Sequence, residues 1–171
     1  IRTTIFRAYP HPVTIENTPV LSISKNEKDR VREFVRTHSL DKYDQVILFE
    51  FAPQSGQLAI TTEMALTVAE KLSSNAKVAV ILSSANKIIH PNRNIIDGSP
   101  LTLRETAVLT LYCTLLIGCS SGITWITTSN AAKLLPMIQL VNPHTDWVNP
   151  VSRDFKRFGK STDFIIDIID F

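Results

Sequence analysis

Short apolar runs alternate along the chain with segments of helical periodicity. Residues 45–50, 77–83 and 115–118 are runs of mainly apolar residues, typical of parallel strands buried on both faces. In residues 61–72 the apolar positions recur at helical spacing, which predicts an amphipathic helix. This alternation of strand and helix predicts an α/β fold with βαβ units, a mostly parallel sheet and helices on both faces.

Capping boxes mark the starts of two further helices. In such a box the first and fourth residues satisfy each other's backbone N–H groups through their side chains. Residues 24–27 open a helix that extends to about Thr37. Residues 102–105 open a helix that extends through Leu111 or Cys113. The pattern further predicts a helix over residues 122–133 and β segments over residues 3–7, 20–23, 94–97 and 136–141.

The bulk composition is that of one soluble globular domain. The chain has 171 residues, of which 44% are hydrophobic and 20% charged, and a net charge of +2. This charge is too small, and the basic residues too dispersed, to indicate a nucleic-acid partner. No apolar stretch approaches the roughly 20 residues of a transmembrane helix, and no secretory signal is visible. Cys113 and Cys119 fit no redox or zinc motif, so we interpret them as reduced and buried, which favours a cytoplasmic location.

The sequence divides into a leading part and a folded part. We expect residues 1–43 to form a linker or edge segment with a leading helix, and residues 44–171 to form a Rossmann-like domain. The chain begins at Ile1 rather than at Met, so we expect it to be a fragment of a longer protein.

Three loops follow the carboxyl ends of predicted strands and supply the candidate binding residues. In a parallel sheet these loops lie along one edge, where open α/β sheets bind their ligands. The candidates are Gln54, Ser55, Gly56 and Gln57 in the first loop (residues 52–57), Ser83 and Ser84 in the second (residues 83–86), and Ser120, Ser121 and Gly122 in the third (residues 119–122), together with Gly118 at the end of the strand before the third loop. Hydroxyl, amide and glycine residues suit phosphates and sugar hydroxyls, particularly in the third loop, where a strand leads into a helix. Ordinary βα turns use the same residues, so both interpretations remain open.

Several familiar chemistries do not fit. The sequence has neither a GxGxxG nor a P-loop motif, and its histidines are too scattered for a metal site. Residues 118–122 resemble a GxSxG nucleophile elbow with Ser120 in the serine position. That triad needs an acid before the histidine, and no Asp or Glu lies between Ser120 and His144. We therefore disfavour a serine hydrolase, and we expect no metal or cofactor.

Residues 94–141 resemble the donor-binding half of GT-B glycosyltransferases, especially the heptosyltransferase-like group. Leu103-Arg104-Glu105 matches the family's Leu-x-Glu helix opening. Gly118, Ser121 and Gly122 match the G, S and G of its G-x-D-S-G-x-x-H motif, whereas Ser120 replaces the Asp and Trp125 the His.

The resemblance implies one half of a GT-B fold, a Rossmann-like three-layer αβα sandwich. Its ligand would be a nucleotide-diphosphate sugar, and an upstream domain, which is missing here, would bind the acceptor and carry the catalytic base. No catalytic residue is therefore assigned in this chain. Glu105 is a candidate contact to the sugar or ribose, although its capping role explains it equally well. The alternative is a non-catalytic α/β ligand-binding or interaction domain.

Overall fold

A computed structural model describes residues 18–52, 56, 58–142, 144, 150–157 and 159–169. The elements in chain order are α1 (Lys25–Thr37), β1 (Gln45–Glu50), α2 (Thr62–Leu72), β2 (Val78–Ser83), β3 (Ile95–Asp97), α3 (Leu103–Leu109), β4 (Leu115–Gly118), α4 (Gly122–Ile126), β5 (Met137–Val141), α5 (Val151–Arg157) and β6 (Ile165–Ile169). Within the described residues six strands form one sheet in the order β3-β2-β1-β4-β5-β6, and every neighbouring pair is parallel. The predicted Rossmann-like three-layer fold is confirmed.

Side-chain alternation along the central strand explains the three layers. Val46 and Leu48 pack in one core together with Val31 of α1. Phe49 packs in a second core with Ala65 of α2. Because successive side chains of a strand point to opposite faces, a continuous apolar run is stable only when helices cover both sides of the sheet.

Both predicted capping boxes are present at the starts of α1 and α3. The N–H of Glu27 donates to Ser24 Oγ at 3.2 Å, and the N–H of Ser24 donates to the Glu27 carboxylate at 2.7 Å. Thr102 and Glu105 repeat this exchange at 3.3 and 2.8 Å. These bonds satisfy N–H groups that the first helical turn leaves without partners.

Arginine side chains tie the two capping boxes to each other. Arg104 Nε lies 2.5 Å from Glu27 Oε1. Conversely, Arg30 of α1 contacts the second box: its Nη1 lies 3.3 Å from Glu105 Oε1, and its Nη2 donates to the Pro100 carbonyl at 3.1 Å. Helix α1 is thus fixed to the segment that leads into α3.

The predicted strand over residues 20–23 is wrong, because this segment belongs to no sheet. Its backbone is bound by Asn130 instead. The N–H of Leu21 donates to Asn130 Oδ1 at 2.7 Å, and the N–H of Asn130 donates to the Pro19 carbonyl at 3.1 Å. The other predicted β segment near the start, residues 3–7, lies outside the described residues.

The predicted helix over residues 122–133 is shorter than expected, since α4 ends at Ile126. Thr127 and Thr128 each donate a hydroxyl hydrogen bond to the carbonyl oxygen three residues earlier, at 2.7 Å. Such side-chain bonds compete with the helical backbone pattern. The remaining predicted strands agree with the structure to within one residue at each end.

The sheet order creates a switch point between β1 and β4. From β1 the chain builds β2 and β3 on one side, then returns to place β4 on the other side of β1. The register pairs Phe49 with Ile117, one residue before the end of each strand. The segments that follow β1 and β4 therefore diverge, and in open α/β sheets such a divergence forms the ligand-binding crevice.

Candidate functional site

A cleft of about 490 Å³ lies at the carboxyl edge of the sheet, beside the switch point. Small-molecule sites typically have about 300–1,000 Å³. The lining comes from the ends of four strands and the segments after them: Glu50, Ala52, Ser83, Ser84, Ala85, Ser99, Leu101, Thr102, Leu103, Thr106, Ser121, Gly122 and Ile123. Most of the polar residues in this lining are Ser or Thr, and none of the described lining residues is Lys, Arg or His.

Part of the predicted site is brought together in this cleft. Ser83 and Ser84 reach it from the end of β2, and Ser121 and Gly122 from the segment after β4. The expectation that loops at the carboxyl ends of the strands meet at one edge is therefore correct for the second and third loops and for Ala52 at the start of the first. Their ligand-binding role stays a prediction.

Other predicted site residues lie elsewhere. Gly118, Ser120 and Glu105 do not belong to the described cleft lining. Gly56 adopts a left-handed backbone conformation with φ +70° and is also outside that lining. Gln54, Ser55 and Gln57 are outside the described residues, and their assignment remains a prediction.

Glu50 is the cleft residue that sequence reasoning missed. It is the last residue of β1 and is 2% exposed. Its carboxyl group accepts hydrogen bonds from the Ser121 hydroxyl and from the backbone and thiol of Cys119, and its Oε2 lies 3.4 Å from Thr124 Oγ1. Burial raises the pKa of Glu50 above its ordinary value, although these hydrogen bonds act to lower it.

A buried amide continues this network towards β5. The side chain of Gln139 is completely buried, and its Oε1 accepts the Ser120 N–H at 2.9 Å. Thr124 Oγ1 lies 3.3 Å from the same oxygen. Gln139 Nε2 is buried and has no hydrogen-bond partner among the described residues. The network thus links the ends of β1, β4 and β5 beneath the cleft.

Gly118 and Gly122, the two glycines that match the glycosyltransferase motif, have different structural roles. A Cβ at Gly118 would lie 2.7 Å from Thr124 Oγ1 and 3.0 Å from Gln139 Nε2. The network therefore leaves no room for a side chain at Gly118. A Cβ at Gly122 would meet no atom within 4 Å, so its lack of a side chain is not needed for packing.

Ser120 occupies a strained turn. Its φ is +56°, in the left-handed region that non-glycine residues rarely adopt. The hydrogen bond from its N–H to Gln139 stabilises this conformation. In the chain, Ser120 stands where the resembling family has Asp.

Glu105 is engaged in structural contacts. It is 1% exposed, it caps α3 through the Thr102 N–H, and its other carboxylate oxygen faces Arg30. These contacts account for the residue without a ligand, and a sugar or ribose contact stays a prediction.

Both cysteines are buried and neither forms a disulfide, as expected from the sequence. Burial raises the pKa of Cys113 to about 12. Burial, assisted by the nearby Glu50 carboxyl, also raises the pKa of Cys119 above its usual value. Neither thiol is activated as a nucleophile.

A second groove, of about 510 Å³, lies between residues 21–23, α1 and α3. Its lining includes Lys28, Arg32, Leu111 and Tyr112. No strand end contributes to it, so it lacks the location at which α/β sheets bind ligands. We therefore place the candidate site in the cleft beside Glu50.

Comparison of the chain with protein-family models, curated proteins and solved structures found no match. Among the residues that the structure describes, no helix is both long and apolar enough to cross a membrane. The same part of the chain contains no group of three or more His, Cys, Asp or Glu side chains suited to holding a metal ion.

Proposed function

We propose that the chain is the nucleotide-diphosphate-sugar-binding domain of a GT-B glycosyltransferase, similar to the heptosyltransferases. The observation that carries this proposal is the cleft at the switch point of an all-parallel sheet. Nucleotide ligands of open α/β sheets bind at this location. The motif resemblance over residues 94–141 supplies the sugar-transfer part of the proposal.

In this proposal the domain positions the donor. The hydroxyls of Ser83 and Ser84 offer hydrogen bonds to sugar, ribose and phosphate oxygens, and the bare backbone at Gly122 permits close approach. The Ser121 hydroxyl donates to Glu50 instead and holds the turn beside the cleft. Hydrogen-bond donors that face the departing diphosphate stabilise its charge in the transition state. The catalytic base and the acceptor site would belong to an upstream domain, and the enzyme would be cytoplasmic.

A second candidate is a non-catalytic α/β ligand-binding or interaction domain. It is favoured by the described cleft lining, which offers no basic side chain to a diphosphate. The replacement of the family's Asp and His by Ser120 and Trp125 favours it as well. In this case the cleft would bind a neutral hydroxyl-bearing ligand.

A thermal-shift screen against UDP, GDP, ADP, CMP and their sugars tests the proposal. A ligand at 100 times its Kd stabilises the native state by about 2.7 kcal/mol. For a chain of this length, that corresponds to a midpoint increase of about 5–10 °C. We expect one nucleotide diphosphate and its sugar to give such a shift selectively.

Matched variants locate the binding. Gly122→Ala places a methyl group at the cleft wall without a clash, so it should weaken nucleotide binding while the protein stays folded. Ser84→Ala should weaken binding about five-fold, the equivalent of one hydrogen bond of about 1 kcal/mol. Ser74→Ala is the control, because Ser74 also makes a local turn hydrogen bond but precedes β2, at the opposite edge of the sheet.

A flat response to all nucleotides, with a shift for an uncharged sugar, would replace the transferase proposal by the second candidate. Nucleotide binding that Gly122→Ala and Ser84→Ala leave unchanged would move the site away from the cleft.

A further inference from the structure

The buried carboxyl group of Glu50 has only neutral neighbours. The groups that bind it in the described part of the chain are the Ser121 and Thr124 hydroxyls and the thiol and N–H of Cys119. An ionised carboxylate without a paired cation is costly in a buried site. The surroundings of Glu50 therefore favour its uncharged form.

The count of protons in the network leads to the same conclusion. The Ser120 N–H donates to Gln139 Oε1, which fixes the orientation of the amide. Thr124 Oγ1 then faces two acceptor oxygens, Glu50 Oε2 at 3.4 Å and Gln139 Oε1 at 3.3 Å. A threonine hydroxyl has one proton to donate. A second proton, on Glu50 Oε2, would complete the chain from Glu50 through Thr124 to Gln139.

We propose that Glu50 is a positioning residue of the cleft, a neutral carboxylic acid at neutral pH whose proton orders the hydrogen bonds that hold the turn between β4 and α4. Ser121 and Gly122 of this turn line the cleft. An uncharged Glu50 beneath the cleft would not repel an anionic ligand. Only this consequence rests on the proposed nucleotide function.

Among the residues that the structure describes, the elements around Glu50 supply few other titrating groups. The turn after β4 contributes the Cys119 thiol, whose pKa is raised, and α4 contributes the hydroxyl of Thr124. The neighbouring strand β2 pairs Ser83 with Glu50, and β5 contributes the neutral Gln139. A titration that these groups report above the ordinary carboxyl range and below that of the buried thiol therefore belongs to Glu50.

The test uses the unliganded protein, so the outcome of the nucleotide screen does not decide it. Carbon-13 NMR of the labelled glutamate carboxyl groups, with the Glu50 signal assigned by its loss in Glu50→Gln, follows the protonation directly. We expect this signal to be that of a protonated carboxyl group at neutral pH, and to titrate, together with the Ser120 amide signal, above the ordinary carboxyl range. The Ser120 titration should be absent in Glu50→Gln.

Substitutions provide the second measurement. The glutamine of Glu50→Gln donates to Thr124 and accepts from Ser121 as the protonated acid does, so its thermal midpoint should equal or exceed that of wild type. Glu50→Ala should lower the midpoint by about 5 °C or more, because the network loses its partner. Glu63→Gln, at an exposed position, is the control for the same substitution outside the network. A Glu50 signal that shows an ionised carboxylate at neutral pH, or a Glu50→Gln protein as unstable as Glu50→Ala, would overturn the proposal.

Discussion

The substitution Gly118→Ala tests whether the network beneath the cleft holds the third loop in place. Its methyl group would lie 2.7 Å from Thr124 Oγ1 and 3.0 and 3.2 Å from the amide atoms of Gln139. Both neighbours are completely buried and hydrogen-bonded, so neither can swing into solvent. Overpacking of a core costs about 1–3 kcal/mol, and a broken buried hydrogen bond costs a similar amount. Because both costs fall on the same side chains, they are not additive, and we expect a total of about 2–4 kcal/mol.

The assay is urea unfolding followed by circular dichroism, together with the thermal midpoint. The expected loss corresponds to a midpoint decrease of about 5–15 °C for a chain of this length. Gly122→Ala is the matched control, since its methyl group meets no atom within 4 Å and alanine favours the helical first turn. Its stability should be unchanged or higher by up to about 1 kcal/mol. Equal free energies of unfolding for Gly118→Ala and wild type would refute the claim that the network leaves no room for a side chain at Gly118.

Titrating and buried groups provide further tests. The pKa of Glu50 is higher in the native than in the unfolded protein. The free energy of unfolding of wild type should therefore fall relative to that of Glu50→Gln as the pH rises above the ordinary glutamate value of about 4.3. A difference that does not change with pH would argue against this linkage. Arg104, and then Ser24, lower the pKa of Glu27 to about 2, so wild type should exceed Glu27→Gln in stability at neutral pH and lose that advantage as the pH falls towards 2. Denaturant titrations at several pH values measure both effects, and a Glu27→Gln difference that persists in acid would contradict the second. Cys113 and Cys119 should react with the thiol reagent DTNB only after urea unfolds the protein, whereas rapid reaction of the native protein would show that the thiols are accessible.

The fold could be predicted from the sequence because the patterns that indicate its strands and helices are local. The continuous apolar run of β1 and the capping boxes of α1 and α3 each determine an element without reference to the rest of the chain. The length of α4 was not accessible in this way. Its end depends on whether Thr127 and Thr128 form hydrogen bonds with carbonyl groups or continue the helix, and helical periodicity does not distinguish the two.

The site was only partly predictable, because its network joins residues far apart in the chain. Ser83, Ser84, Ser121 and Gly122 were found from their positions after predicted strands. Glu50 gave one signal, a charged residue at the end of an apolar strand. Its burial depends on the turn after β4, which lies about 70 positions further along the chain.

Glu105 shows the opposite problem. Its motif resemblance suggested a ligand contact and its capping box a structural role; the structure shows the predicted bond to Thr102 and adds an ion pair with Arg30. The Arg30 contact comes from α1, which is distant in sequence. A motif of three residues contains no information about such a partner.

The most direct test of the central claim is an NMR titration of the methyl-labelled protein with the nucleotide diphosphate that gives the largest thermal shift. Leu101, Leu103 and Ile123 line the cleft, whereas Leu21 and Ile23 line the second groove. We predict saturable shifts of the first set and unchanged signals from the second. Shifts confined to the second groove, or none with any nucleotide of the panel, would contradict the assignment of a nucleotide site to the cleft.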